Sequence, residues 1–218
     1  MSRSSDAPSE RTRLRRLYER GAYDQESVYG LLDVLPLAHV GYVLDGAPVV
    51  TPTFQWREGD HVYWHGSSAS RMLRKSEGTE VCLTASALDG FVLARSGFHH
   101  SVNYRSVTLF GTARKVEDAE AKEARLKAFV DGLFPGRWEM LRPLTGQELK
   151  ATTVLSMPID EASAKVRAGG PVDDEEDYAL PVWAGVIPVA PQIMPLQADP
   201  RNLEGVEVPE HVSGFRFG

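Results

Sequence analysis

Closely spaced turns break up the first half of the chain: Asp45-Gly46, Glu58-Gly59-Asp60 and Asp89-Gly90. Gly and Asp at such positions supply the backbone angles that tight hairpins need. Between and around them run short stretches rich in Val, Thr, Tyr and Trp, at residues 38–44, 48–56, 61–65, 80–88 and 91–95. Strands that follow one another through hairpins pair antiparallel, whereas a parallel sheet needs a crossover of about a dozen residues. No strand–helix–strand alternation and no Gly-rich loop opening a long helix is present, which argues against a doubly wound nucleotide fold. The pattern predicts a mainly β (α+β) chain, an antiparallel barrel closed or partly closed, with peripheral helices.

Helical signals flank these strands. Residues 9–20 read as a charged helix, and Asp24 as the N-cap of a helix over 25–34 that ends before Pro36. A short helix is expected over 69–75, N-capped by Ser67 or Ser68 and closed by Gly78. Residues 104–116 read as one long strand. Asp118 then opens an amphipathic helix with Leu126, Phe129, Val130 and Leu133 on one face, stopped at Phe134-Pro135-Gly136. Thr145 to Glu148 has the spacing of a capping box, and residues 152–159 form the last expected strand. The proline-rich remainder reads as an extended tail, disordered or wrapped over a partner subunit. The expected organisation is N-terminal helices over 1–34, a barrel domain over 35–189 and an extended tail over 190–218.

Composition narrows the function. The chain has 218 residues and a formal charge of −6, which gives the whole molecule no bias towards nucleic acid or anionic membrane. Arg11, Arg13, Arg15, Arg16 and Arg20 make the first segment basic, but no aromatic or glycine motif accompanies them, so a solvated helix face is preferred to a nucleic-acid arm. The single cysteine, Cys82, rules out internal disulfides and cysteine-rich metal sites; its apolar neighbours predict a buried thiol. His61 and His65 share a strand face about 13 Å apart at ~3.3 Å per residue, too far for one ion, and no metal site is expected. With no apolar run of membrane-spanning length and no signal region, the expectation is a cytoplasmic protein without a membrane partner.

The stretch YWHGSSASRMLRK, residues 63–75, gathers hydroxyls and cations where a helix begins. Unpaired N–H groups, serine hydroxyls and arginine forks there suit a phosphate. Two more stretches join it. GAPVVTPTFQW, residues 46–56, has a strand interrupted by Pro52, which cannot donate to a ladder; HHSVNYRSVTLFG covers 99–111. In order and spacing, with the later FPG, K-x-R and WAGVIP motifs, residues 35–189 resemble the FMN-binding split barrels related to pyridoxamine 5′-phosphate oxidase. The nearest branch is that of the nitroimidazole-resistance and flavin-nucleotide-binding proteins.

That resemblance implies an antiparallel split β-barrel forming a homodimer, with FMN at the interface. It implies that Ser70 and Arg71 hold the FMN phosphate, with Ser67 and Gly66 in the same turn. Arg74 or Lys75 would replace a second cation that is Met72 here. Val50, Thr51, Pro52 and Thr53 would line the ring edge, and Ser106 would touch flavin from its own or the other subunit. His65 is the candidate for a catalytic or ligand contact. The first-strand positions that are basic in the oxidases fall near Val50 and Gln55, which speaks against the oxidases' own substrate. Flavin carries the redox chemistry itself, so no catalytic triad is needed. The implied function is a flavoprotein oxidoreductase passing electrons from reduced FMN to a small aromatic or nitro-type acceptor. The alternatives are a non-catalytic flavin store or sensor, a haem-binding split barrel with His211 near Arg216 as axial ligand, and a deazaflavin user.

Overall fold

The computed structural model describes residues 7–216. In chain order the elements are β1 (Gly21–Ala22), α1 (Gln25–Val34), β2 (Leu37–Leu44), β3 (Ala47–Glu58), β4 (His61–Ser67), α2 (Arg71–Ser76), β5 (Glu80–Leu93), β6 (Ser101–Thr112) and β7 (Arg114–Lys115). Then follow α3 (Ala119–Leu133), α4 (Gly146–Ala151), β8 (Thr152–Pro158), β9 (Glu161–Arg167), β10 (Gly185–Pro188) and α5 (Glu210–Ser213). The strands form one antiparallel sheet in the order β1-β9-β6-β5-β2-β3-β4-β8-β7, with β10 added to β5. It is the mainly β architecture with peripheral helices that the turn pattern predicts.

Local chemistry sets the joints. Asp45 and Gly46 both adopt positive φ (50° and 83°) in the β2–β3 hairpin, as a type I′ turn requires. The Asp24 carboxylate accepts from the Ser27 N–H at the start of α1, and Asp118 does the same for Ala121 in α3. Thr145 and Glu148 form the expected capping box on α4.

Alternation along the strands sends Val40, Val62, Trp64, Leu83, Val107, Leu109, Leu155 and Met157 inward, each fully or almost fully buried. Burying a side chain of this size contributes about 1.5–3 kcal/mol. The sheet curls so that β6 approaches β8 without pairing to it: a Cβ on Gly111 would lie 2.8 Å from Met157 Cγ, so the missing side chain lets the two strands come close. Val28, Leu31 and Leu32 of α1 complete the core. Gln55 of β3, itself buried, donates through Nε2 to the carbonyls of Leu32 (2.6 Å) and Leu35 (2.9 Å). These are helix-end carbonyls that would otherwise lack partners.

Several expectations fail for identifiable reasons. Residues 9–20 are not a helix. Among the described residues they form turns with one 3₁₀ turn at Tyr18–Arg20, because long-range contacts outbid local propensity. Arg11 bridges Glu80 (2.9 Å) and Glu161 (2.7 Å) across the sheet, and the Leu14 N–H donates to the Tyr23 hydroxyl at 2.8 Å. Asp89-Gly90 is not a hairpin turn but a bulge inside one continuous β5. Arg105 holds the Asp89 carboxylate, and the bare Gly90 admits the backbone of β10. The strand expected over 104–116 runs instead as β6 from Ser101 and breaks before β7. Residues 161–167, rich in small residues, were not expected to be a strand; they form β9, with Ala162 and Ala164 buried. Cys82 lies half-buried on the outer face instead of in the core, because Val81 and Leu83 take the inward positions; burial still pushes its thiol pKa up. No helix among the described residues is long and apolar enough to cross a membrane.

Candidate functional site

The sheet is continuous on paper but parted in space. β3 pairs with β4 only over Gln55–Glu58, opposite Trp64 to His61. Towards its start β3 stays with β2, while β4 continues alongside β8 through Ser67. The hydrogen-bonded ladder therefore has a cleft between residues 50–53 on one side and His65 to Ser67 on the other. α2 follows β4 immediately, its buried Met72 and Leu73 anchoring it in the core.

The turn into α2 is ordered by its own backbone. The Ser68 N–H donates to the Ala151 carbonyl (2.7 Å) and the Ser70 N–H to the Ser67 carbonyl (2.8 Å). Ser67 Oγ accepts from the Ala69 N–H at 3.2 Å. The N-cap is Ser70, not Ser67 or Ser68, and its hydroxyl makes no capping bond. Arg71 and Arg74 are exposed, and among the described residues neither pairs with a carboxylate. With only six residues, α2 has a small dipole, so the free hydroxyl and the cations carry the anion preference. Arg74 lines a depression of about 310 Å³ shared with Ser68, Lys115 and Lys150.

Strand alternation divides the β3 residues. Thr51 lies opposite Val40 and Thr53 opposite Ala38, whose side chains point into the barrel. Val50 and Pro52 lie opposite Gly41 and His39 on the outer face, where Val50 is 64% exposed. Ser106 is not near this cleft within one chain: β5 and β2 intervene, and its hydroxyl donates to the Lys165 carbonyl at 3.2 Å. It shares the outer face with Val50 and Pro52.

His65 is held in an aromatic nest. Its ring centroid lies 4.8 Å from that of Phe129 in α3 and 5.8 Å from Trp56; Trp56 stacks on Tyr63 at 5.7 Å. Its Nδ1 is buried without a partner, and desolvation lowers its pKa, which favours the neutral imidazole. The alternation of Phe54, Trp56, Tyr63 and His65 along β3 and β4 is visible in the sequence. Phe129, which closes the nest, is recognisable there only as part of an apolar helix face. Among the described residues, no three His, Cys, Asp or Glu side chains gather to hold a metal ion.

A barrel whose third and fourth strands part above a Ser-Arg turn defines a split-barrel protein. The family model for pyridoxamine 5′-phosphate oxidase matches residues 24–166, and the chain belongs to that family. It is 54% identical to the flavocytochrome Anf3 from Azotobacter vinelandii, with a TM-score of 0.94, covering 98% of this chain and 100% of that one. It is 40% identical to the FAD and heme binding protein from Mycobacterium smegmatis, with a TM-score of 0.86, covering 90% of this chain and 97% of that one. A chain described as a 5-nitroimidazole antibiotic resistance protein from Bacteroides thetaiotaomicron shares the fold at 22% identity and a TM-score of 0.55, over 67% of this chain and 86% of that one. No curated protein matches.

Proposed function

We propose that this protein is a flavin-binding redox protein whose cofactor lies where β3 and β4 part. The carrying observation is the Ser70–Arg71 turn just after β4: among the described residues its hydroxyl makes no capping bond and its exposed guanidinium pairs with no carboxylate. Bound flavin would supply one- and two-electron redox chemistry. The chain's own part is to hold the phosphate through Ser70 and Arg71 and to flank the ring with Thr51 and Thr53 on one side and His65 to Ser67 on the other. FMN is the cofactor that the family resemblance implies. The name of the Mycobacterium smegmatis relative favours FAD, which contains the same phosphate-and-ring half. Mass analysis of the extracted chromophore decides between them, and a purified protein with no flavin bands, before or after soaking with either flavin, rejects the proposal.

Ser106 supports a homodimer. It can reach a flavin in this cleft only from a second copy, and the outer face it shares with Val50, Pro52, Val43 and Leu37 exposes apolar surface suited to being covered. The electron acceptor proposed is a small aromatic or nitro compound. Reoxidation of the reduced protein no faster than free flavin, across a panel of acceptors, would point instead to a store or sensor.

A haem is the second reading, favoured by the names of both long relatives and by one observation. His211 in α5 has a buried Nε2 without a partner. It opens on a pocket of about 620 Å³ lined by Leu133, Phe215 and Arg216, where Phe134 and Phe215 pack at 5.1 Å. An unused imidazole nitrogen, apolar walls and a cation suited to a propionate fit this group. Bound haem would supply a one-electron centre. His65 is the competing ligand, but its neighbours are packed rings. Haem titration of the protein, His211→Ala and His65→Ala, followed at the Soret band, identifies the axial histidine; unchanged titrations in both variants reject the reading.

A further inference from the structure

At the far end of β5 from the Ser70–Arg71 turn, three separate segments meet around a pocket of about 380 Å³: residues 16–20, 98–101 and 167–172. Three guanidinium groups and two imidazoles line it. Arg16 and Arg20 come from the N-terminal segment, His99 and His100 from the loop before β6, and Arg167 from the end of β9. Among the described residues no carboxylate pairs with Arg16, Arg20 or Arg167. Of the nearby acids, Asp173 pairs with Arg95 outside the pocket at 3.0 Å, and Asp174 lies at its edge, 3.4 Å from His99 Nε2.

Arg167 is the anomaly. It is only 8% exposed, yet its partners are neutral oxygens: Asn103 Oδ1 accepts from Nη1 and the Gly170 carbonyl from Nη2 at 3.3 Å. Its Nε is buried with no partner at all. Burial and the charge of Arg20 both lower its pKa. A guanidinium taken out of water without a counter-charge is destabilising. An oxyanion would supply both the missing charge and the missing acceptor. Beside it Phe98 is 88% exposed, edge-on to His99 at 5.1 Å between centroids, a surface on which a planar ring could rest.

We propose that this pocket is a binding site for a phosphate-class oxyanion, most suitably the diphosphate of a ring-bearing nucleotide, gripped by Arg167, Arg20 and Arg16. The ligand is a free one: the diphosphate of a flavin held at the Ser70–Arg71 turn includes the phosphate gripped there and cannot also occupy this pocket. The site is separate from the Ser70–Arg71 turn, and its test does not need the flavin proposal to hold.

The test uses the full-length protein as purified and again after loading with FAD, titrated calorimetrically with pyrophosphate at low salt. Arg16→Gln/Arg20→Gln is the main variant, since both side chains reach towards solvent and thermal melting can confirm its fold; Arg167→Lys keeps the charge but removes the fork. If pyrophosphate binds the FAD-loaded protein and the double variant weakens it at least tenfold, the ligand is a free one. If pyrophosphate binds only the unloaded protein, or binds wild type and the double variant alike, the anion is held at the Ser70–Arg71 turn and the proposal is overturned. No pyrophosphate binding in either form, or no loss of it in Arg167→Lys and the double variant, overturns it as well.

Discussion

The two places proposed to receive an oxyanion are built in opposite ways. The Ser70–Arg71 turn is local: hydroxyl, cation and helix start lie within a few residues, on a short helix whose buried Met72 and Leu73 hold it in place. Its cations face solvent, where an unliganded charge costs little. The pocket at Arg167 is assembled from three segments roughly 70 or more positions apart in sequence, and one of its cations is buried. The first is a socket that rests comfortably when empty. The second holds its central charge at a cost, and so should respond to its ligand in stability as well as in binding.

The largest effect expected is on the local site. Ser70→Ala/Arg71→Gln removes a hydroxyl and a charge-assisted contact, together worth about 3 kcal/mol or more, so flavin affinity should fall by about 100-fold or more in a fluorescence titration. Pyrophosphate binding at the distant pocket should be unchanged, since sites this far apart act independently. An equal loss at both would mean that the two regions are one. The Arg16→Gln/Arg20→Gln variant tests the reverse, with the tenfold loss already described and the Ser70–Arg71 turn unaffected.

A smaller effect separates the flanks by pH. The folded-state pKa of His65 is lowered by desolvation, so its stabilising contribution is complete above the usual histidine value of about 6.5. As pH falls below that value the unfolded chain takes up a proton that the folded chain resists, and stability declines. His65→Phe should flatten this acid-side decline, seen as a difference of a few degrees in Tm between about pH 5 and pH 7. A variant with the same pH slope as wild type would show that the nest does not desolvate the imidazole.

The smallest effect expected is at the strap. Arg11→Gln removes the bridges to Glu80 and Glu161, which are largely solvent-accessible, so the cost should stay below about 1 kcal/mol, or a shift of about 2–4 °C or less for a chain of this size. Because the same segment carries Arg16 and Arg20, pyrophosphate affinity should fall slightly, by about threefold or less, while flavin affinity stays put. A loss as large as that of the double variant would make the strap, and not the pocket cations, the determinant.

The sequence was most readable where structure depends on neighbours in the chain. The Asp45-Gly46 hairpin, the Asp24 and Asp118 caps, the Thr145–Glu148 box and the turn after β4 are all decided within four or five residues. The resemblance to the split barrels added the family. Local reading failed where distant partners intervened. Residues 9–20 have the composition of a helix, but Arg11 is drawn to acids about 70 and 150 positions away. Asp89-Gly90 has the look of a turn, but Arg105 and β10 convert it into a bulge. β9 is composed largely of small residues and acquires its strand character from its neighbour β6 and the covering helix α1.

The amino-acid order alone thus determined the Asp45-Gly46 hairpin, the Asp24 and Asp118 helix starts and the Thr145–Glu148 capping box, and that a turn carrying serines and arginines follows the fourth strand, because those outcomes rest on backbone angles and hydrogen bonds made within a single loop. Only the tertiary structure decided that β3 and β4 part to leave a cleft, that Ser106 lies away from it, that Phe129 closes over His65, and that Arg167 is buried without a counter-charge beside Arg16 and Arg20. Each of these is a matter of register and packing between residues far apart in the chain, and no local rule carries that information.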